Sequence, residues 1–163
     1  MPDIFQQDVL DERDLEQLTA VNPSDIRFAA MNLLSRREHS ARELHQKLRK
    51  RFKDPDLVDE QLQRLADENL QSDERFAESF LRQRISRGQG PIRIRQEMRQ
   101  RGILDPDISA AMEAGSPDWC ALAEKTLHRK FGEETSANIK DQAKRSRFMQ
   151  YRGFSSEHYK DLL

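Results

Sequence analysis

The sequence predicts an all-α protein, an elongated array of three tandem three-helix repeats. Three observations carry this reading. Residue usage favours helix, since three Val and three Thr stand against 17 Leu, with Gln, Glu, Arg and Ala plentiful. Helix-start signals recur nine times along the chain. Segments also repeat in the same order every 45 to 50 residues, the mark of an array whose neighbouring units bury each other's faces. Val, Ile, Leu and Phe number 36 of 163 residues, against 35% charged residues. Thin layers with much exposed helix surface are therefore expected, rather than one thick core.

The starts run in order along the chain. Ser24 precedes an apolar periodic run, and Ser40 to Glu43 reads as a capping box. Asp54-Pro55, Gly90-Pro91, Asp105-Pro106 and Ser116-Pro117 each place a cap before a proline at the first helical position. Ser72 heads Ser-Asp-Glu, Ser136 follows a stop at Gly132, and Ser155 follows a stop at Gly153. Ser24-Asp-Ile-Arg-Phe-Ala matches Ser72-Asp-Glu-Arg-Phe-Ala at an offset of 48. Leu44, Leu48, Arg49 and Arg51 match Ile94, Met98, Arg99 and Arg101 at 50, and Asp54-Pro-Asp-Leu matches Asp105-Pro-Asp-Ile at 51. The third unit is more diverged, but Met149-x-x-Arg152-Gly153-Phe154 echoes Met98-x-x-Arg101-Gly102-Ile103.

These matches divide the chain into repeats at 24–71, 72–115 and 116–163, preceded by an acidic arm at 1–23. The arm carries six acids and one Arg through Glu16 and is read as mobile or weakly helical. In the first repeat, Phe28, Met31, Leu33 and Leu34 are expected to pack on Leu44 and Leu48, with Leu57, Leu62 and Leu65 closing the bundle.

Net charge is −1, but the charges are segregated. Arg36 to Lys53 holds eight basic and two acidic residues, Arg82 to Arg101 seven Arg and one acid, and Lys140 to Arg152 five basic and one acidic. Between the first two blocks, Asp54 to Glu78 has nine acids and two Arg. Acids in first turns suit the positive end of the helix dipole. A single basic block reads more readily as a solvated face. Recurrence on the middle helix of each repeat favours an anion-binding surface, for a phosphate backbone or for an acidic face of a protein.

No catalytic or metal-binding constellation emerges, and an enzyme, a metal or another cofactor is not expected. His39, His45, His128 and His158 are scattered, without ligand spacing. Cys120, beside Trp119, Ala121, Leu122 and Ala123, reads as a packed thiol. One cysteine gives no sign of an oxidising compartment, no apolar run reaches membrane-span length, and no signal segment heads the chain. A cytoplasmic location and a monomer follow as expectations. The phenylalanines Phe28, Phe76, Phe80, Phe131 and Phe148 sit at core spacing, leaving Tyr151 and Phe154 as candidate stacking rings.

Three pieces of the sequence are also familiar. They are His39-Ser-Ala-Arg-Glu-Leu44 with Lys47-Leu48, Ser72-Asp-Glu-Arg-Phe-Ala77 followed by Arg87-Gly-Gln-Gly-Pro-Ile-Arg-Ile-Arg-Gln-Glu97, and Tyr151-Arg-Gly-Phe154. Together, over about residues 25 to 163, they resemble the RecX family of bacterial regulators of the RecA recombinase. The resemblance implies three three-helix repeats and no enzyme activity. It implies binding in the groove of RecA filaments on single-stranded DNA, with inhibition of ATP hydrolysis, filament growth and strand exchange. Recombinational repair and the SOS response would be damped in consequence.

Under that reading the candidate contacts to the filament, or to DNA phosphates within it, are basic residues of the middle helices. They are Arg42, Arg49, Lys50 and Lys53; Arg84, Arg87, Arg93, Arg95 and Arg99; and Lys144, Arg145, Arg147 and Arg152. Arg51 and Arg101 lie nearer the apolar seam, where packing or an internal ion pair competes. The alternatives are a DNA-binding module using its three-helix units as readers, and a protein scaffold with no nucleic-acid role.

Overall fold

Asn22 opens the first helix: its side chain accepts the Ser24 amide and Pro23 takes the first turn. A computed structural model describes residues 20–163, so most of the acidic arm lies outside the described residues. Eight α-helices follow: α1 (Pro23–Arg36), α2 (Ala41–Arg51), α3 (Pro55–Asp67), α4 (Asp73–Ser86), α5 (Pro91–Gln100), α6 (Asp105–Gly115), α7 (Trp119–Phe131) and α8 (Ile139–Arg152). Two 3-10 turns, Ser156–His158 and Lys160–Leu162, complete the described chain, in which no strand occurs.

Three apolar clusters match three modules. The first joins Ile26 and Ala30 of α1 to Leu44 and Leu48 of α2 and to Val58, Leu62 and Leu65 of α3. The second joins Phe76 and Phe80 of α4 to Ile94 and Met98 of α5 and to Ile108 and Met112 of α6. The third is smaller and gathers Ala123, Leu127, Met149, Phe154 and Tyr159. Trp119 packs against both the second and the third cluster.

Several local expectations are corrected. The caps are Asn22 rather than Ser24, Leu104 rather than Asp105, Asp118 rather than Ser116, and Asn138 rather than Ser136. Ser116 instead ends α6 in the left-handed region, at φ 38°. The first shift has a packing consequence. Caps at Asn22 and Ser72 are 50 positions apart, not 48. Phe76 therefore corresponds to buried Ile26, while Phe28 is 69% exposed and Met31 36%. The ninth element is not an α-helix. Tyr159 and Leu162 both join the third core, and a spacing of three suits the eclipsed side chains of 3-10 geometry. Cys120 is exposed, not packed.

Candidate anion-binding interface

The middle helices α2, α5 and α8 carry part of each basic block, while Arg84 lies in α4, Arg87 caps its end and Lys53 follows α2; the modules meet at the ends of the middle helices. Every α-helix leaves amide donors unpaired at its start and carbonyls unpaired at its finish. Here one helix supplies what the next lacks. The Gly90 amide donates to the Arg152 carbonyl at 2.8 Å, and the Ile92 amide to the Gly153 carbonyl at 3.0 Å. The start of α5 is thus closed by the finish of α8. The same juxtaposition recurs one module earlier, where the Ser40 hydroxyl donates to the Arg101 carbonyl at 2.7 Å. The three middle helices therefore abut head to tail, in the order α8, α5, α2.

Glycine permits this approach. Gly153 has φ +93°, and a Cβ there would overlap Arg93; a Cβ on Gly90 would overlap the Gly153 carbonyl. Gly102, with φ +82°, lies in the same way against the stem of Arg42. Arg42 and Arg93 thus serve the joints through their stems, whatever their charges do.

Ion pairs reinforce the first joint. Glu43 caps Ser40 by accepting its amide at 3.2 Å, pairs with Arg37 at 2.9 Å and receives Arg101 at 3.3 Å. Burial works to raise the Glu43 pKa. Its hydrogen bond and charge contact with Arg37, helped by the Ser40 amide, outweigh burial and hold it below the usual carboxylate range. Glu97 is the second anchor, with Arg84 at 2.8 Å, Arg93 at 2.9 Å and Arg101 at 3.9 Å. The Arg84 contact is a close charge pair without hydrogen-bond geometry. Burial lowers the Arg84 pKa below the ordinary arginine value; Glu97 opposes this, and Arg101, Arg87 and Arg93 add to it. Positive charge is in excess around this helix.

The candidate cations divide accordingly. Arg84 has a side chain only 12% exposed and lies over the Phe80 ring. Arg145 is 7% exposed, pairs with Asp141 at 3.1 Å, donates to the Glu134 carbonyl at 2.6 Å and lies over Phe131. Both belong to internal packing, because their guanidiniums are already desolvated and paired; they are poorly placed as free contacts. Arg49 pairs with Asp59, Arg93 with Glu97 and Arg99 with Asp105. Among the described residues, Arg42, Lys50, Lys53, Arg87, Arg95, Lys144, Arg147 and Arg152 have no carboxylate within ion-pair distance. Of the two seam arginines, Arg101 makes the internal ion pairs just described and Arg51 lies over the Phe52 ring.

Two basic residues escaped the sequence reading. Arg129 and Lys130 lie in the last turn of α7, outside the middle helices, yet they line the second joint beside Arg87 and Arg152. The signal available was the run His128-Arg129-Lys130 before Gly132, which by itself reads as ordinary helix-end bias. Of the candidate stacking rings, Phe154 is buried, whereas Tyr151 is 74% exposed with Arg93 over its face. No described helix is long and apolar enough to cross a membrane.

Comparison with known proteins fits this architecture. Family models for the first, second and third three-helix domains of RecX match residues 27–65, 72–112 and 118–162. Regulatory protein RecX of Halorhodospira halophila (strain DSM 244 / SL1) is 46% identical over 132 residues, 81% of this chain and 82% of the relative. Its counterpart in Pseudomonas fluorescens (strain SBW25) is 43% identical over 138 residues, 85% and 89% respectively. A crystal structure of regulatory protein RecX superposes with a TM-score of 0.73 at 27% identity, covering 93% of this chain and 76% of that one. RecX from Lactobacillus salivarius gives 0.68 at 26% identity, covering 86% and 93%. Matched in all three modules and at this identity over most of its length, the chain belongs to the RecX family.

Proposed function

We propose that this chain is a non-enzymatic, cytoplasmic regulator of RecA. It binds RecA filaments on single-stranded DNA along their groove and inhibits ATP hydrolysis, filament growth and strand exchange. Recombinational repair and SOS induction are modulated as a result. Membership of a family whose members are named regulatory proteins supports this reading. The observation that carries it is the head-to-tail column of middle helices, which distributes cations without carboxylate partners over all three modules. A repetitive filament offers the same acidic or phosphate-bearing surface at regular intervals. Several weak contacts on one array then act together, each binding event raising the effective concentration for the next.

The deciding measurement is RecA's DNA-dependent ATP hydrolysis, titrated with this protein at near-physiological salt. Inhibition well below one copy per RecA protomer is the expected result. Absence of inhibition even in excess overturns the proposal. Charge reversal should be aimed at exposed Lys50 and Arg147 and half-buried Arg95, all without a carboxylate partner, and not at Arg93, whose stem holds a joint. The triple variant should lose inhibition while keeping its helix content.

A further inference from the structure

At the joint of the second and third modules lies a small cleft of about 110 Å³, lined by Arg87, Gly88, Thr126, Arg129, Lys130, Phe148 and Arg152. Its wall has four cations and no carboxylate. Three helices finish here: Arg87 is the C-cap of α4, Arg129 and Lys130 sit in the last turn of α7, and Arg152 ends α8. Helix ends alone do not account for so much positive charge. Each free finish supplies roughly half a negative charge, but that of α8 is met by the start of α5, so the other two offset about one of the four cations. About three positive charges are left over.

Two of the cations are also held in place. Arg152 donates to the Arg87 carbonyl at 3.1 Å and lies over the Phe148 ring, with Lys130 at the same ring. At Gly88, with φ +71°, a Cβ would sit 2.8 Å from the Thr126 hydroxyl. Any side chain there would crowd the cleft. The lining comes from two modules, so the cleft exists only when the joint is closed.

We infer that this inter-module cleft, formed by Arg87, Arg129, Lys130 and Arg152, seats a backbone phosphate of single-stranded nucleic acid. The two oxygens of a carboxylate lie in one plane and match a single guanidinium fork. A phosphate presents oxygens in several directions and can be approached by all four side chains. The volume is that of about four water molecules, enough for a phosphate. A flexible single strand can turn one phosphate inward. The inference deepens the filament reading, because a single strand is what the proposed filament contains, but its test needs no RecA.

The test is fluorescence anisotropy of a labelled oligothymidylate with the full chain across a salt series. The variant is Arg129→Gln with Lys130→Gln, both exposed positions. The control is Arg36→Gln with Lys160→Gln, which removes the same charge from exposed residues outside the cleft. The cleft variant should bind about tenfold more weakly, and its log–log salt slope should fall by about 0.7, the value for one lost single-strand phosphate contact. The control should retain nearly all of the wild-type affinity and slope. Equal losses in the two variants, or displacement of the oligonucleotide by polyglutamate as readily as by unlabelled oligothymidylate, would overturn the inference. Oligonucleotide binding through the cleft without inhibition of RecA would sink the regulator reading alone. Inhibition by the cleft variant with unchanged oligonucleotide binding would sink the cleft alone.

Discussion

The two joints between modules solve one geometric problem by different means. Between the second and third modules the main chain does most of the pairing: Gly90 and Ile92 amides meet the carbonyls of Arg152 and Gly153, glycines stand where side chains would intrude, and the side chains of Arg93 and Arg152 add bonds to main-chain carbonyls. Between the first and second modules side chains do it. Ser40 reaches the Arg101 carbonyl, Asp73 accepts the Ala41 amide at 2.9 Å, Gln71 donates to the His39 carbonyl, and Glu43 receives Arg101. A main-chain joint depends on space and tolerates exchange of most side chains. A side-chain joint depends on residue identity and on protonation.

Substitution at Gly153 should break this contrast most severely. Gly153→Ala places a Cβ at φ +93° against Arg93, combining left-handed strain with overpacking, at a cost of about 3 kcal/mol. Hydrogen exchange at the Gly90 and Ile92 amides should accelerate, with exchange in the first module nearly unchanged. Slow exchange at both amides would show that the joint tolerates the methyl group.

Ser40→Ala is the corresponding lesion in the first joint, and a milder one. It removes a helix cap and leaves the Arg101 carbonyl without its hydroxyl donor, costing about 2 kcal/mol. Urea unfolding should show the loss. Exchange should quicken at the Glu43 amide, which donates to Ser40 Oγ, and stay slow at Gly90.

The smallest expected effect concerns pH, and it sharpens the comparison because only the side-chain joint holds a buried histidine. His39 is 2% exposed, with Nδ1 3.0 Å from the Arg37 carbonyl and Nε2 3.4 Å from Lys47 Nζ. The neutral ring that donates from Nδ1 and accepts at Nε2 satisfies both contacts. Burial pushes its pKa below the usual histidine value. The folded chain therefore binds fewer protons than the unfolded one. Stability from His39 is fully present above about pH 6.5 and is lost as pH falls through the lower folded value. Melting temperature followed from about pH 8 to about pH 5 should decline, and His39→Gln should flatten that decline. An unaltered slope in the variant would remove His39 from the account.

The all-helical repeat was legible because its signals are local. Capping residues, prolines at first turns and the spacing of Leu44, Leu48, Ile94 and Met98 each act within a few residues. Register was harder to read. Ser24 and Phe28 align by identity with Ser72 and Phe76, yet the cap at Asn22 turns the helix so that Ile26 faces the core. One missed polar cap rotated an entire buried face. The charged surface was legible as blocks but not as partners: Arg84 and Arg145 differ from Arg95 and Arg147 only in what three-dimensional packing sets beside them. Arg129 and Lys130 acquire a shared role only when α7 and α8 are folded against α4.

The column of middle helices also has a direction and two stops. Its inner ends close on one another, but its outer ends are sealed locally. Asn138 accepts the Asp141 amide at the head of α8, with Asp141 itself in that first turn, while Arg49, Lys50 and Arg51 crowd the last turn of α2. Acid at one terminus and base at the other quench the two poles of the stack.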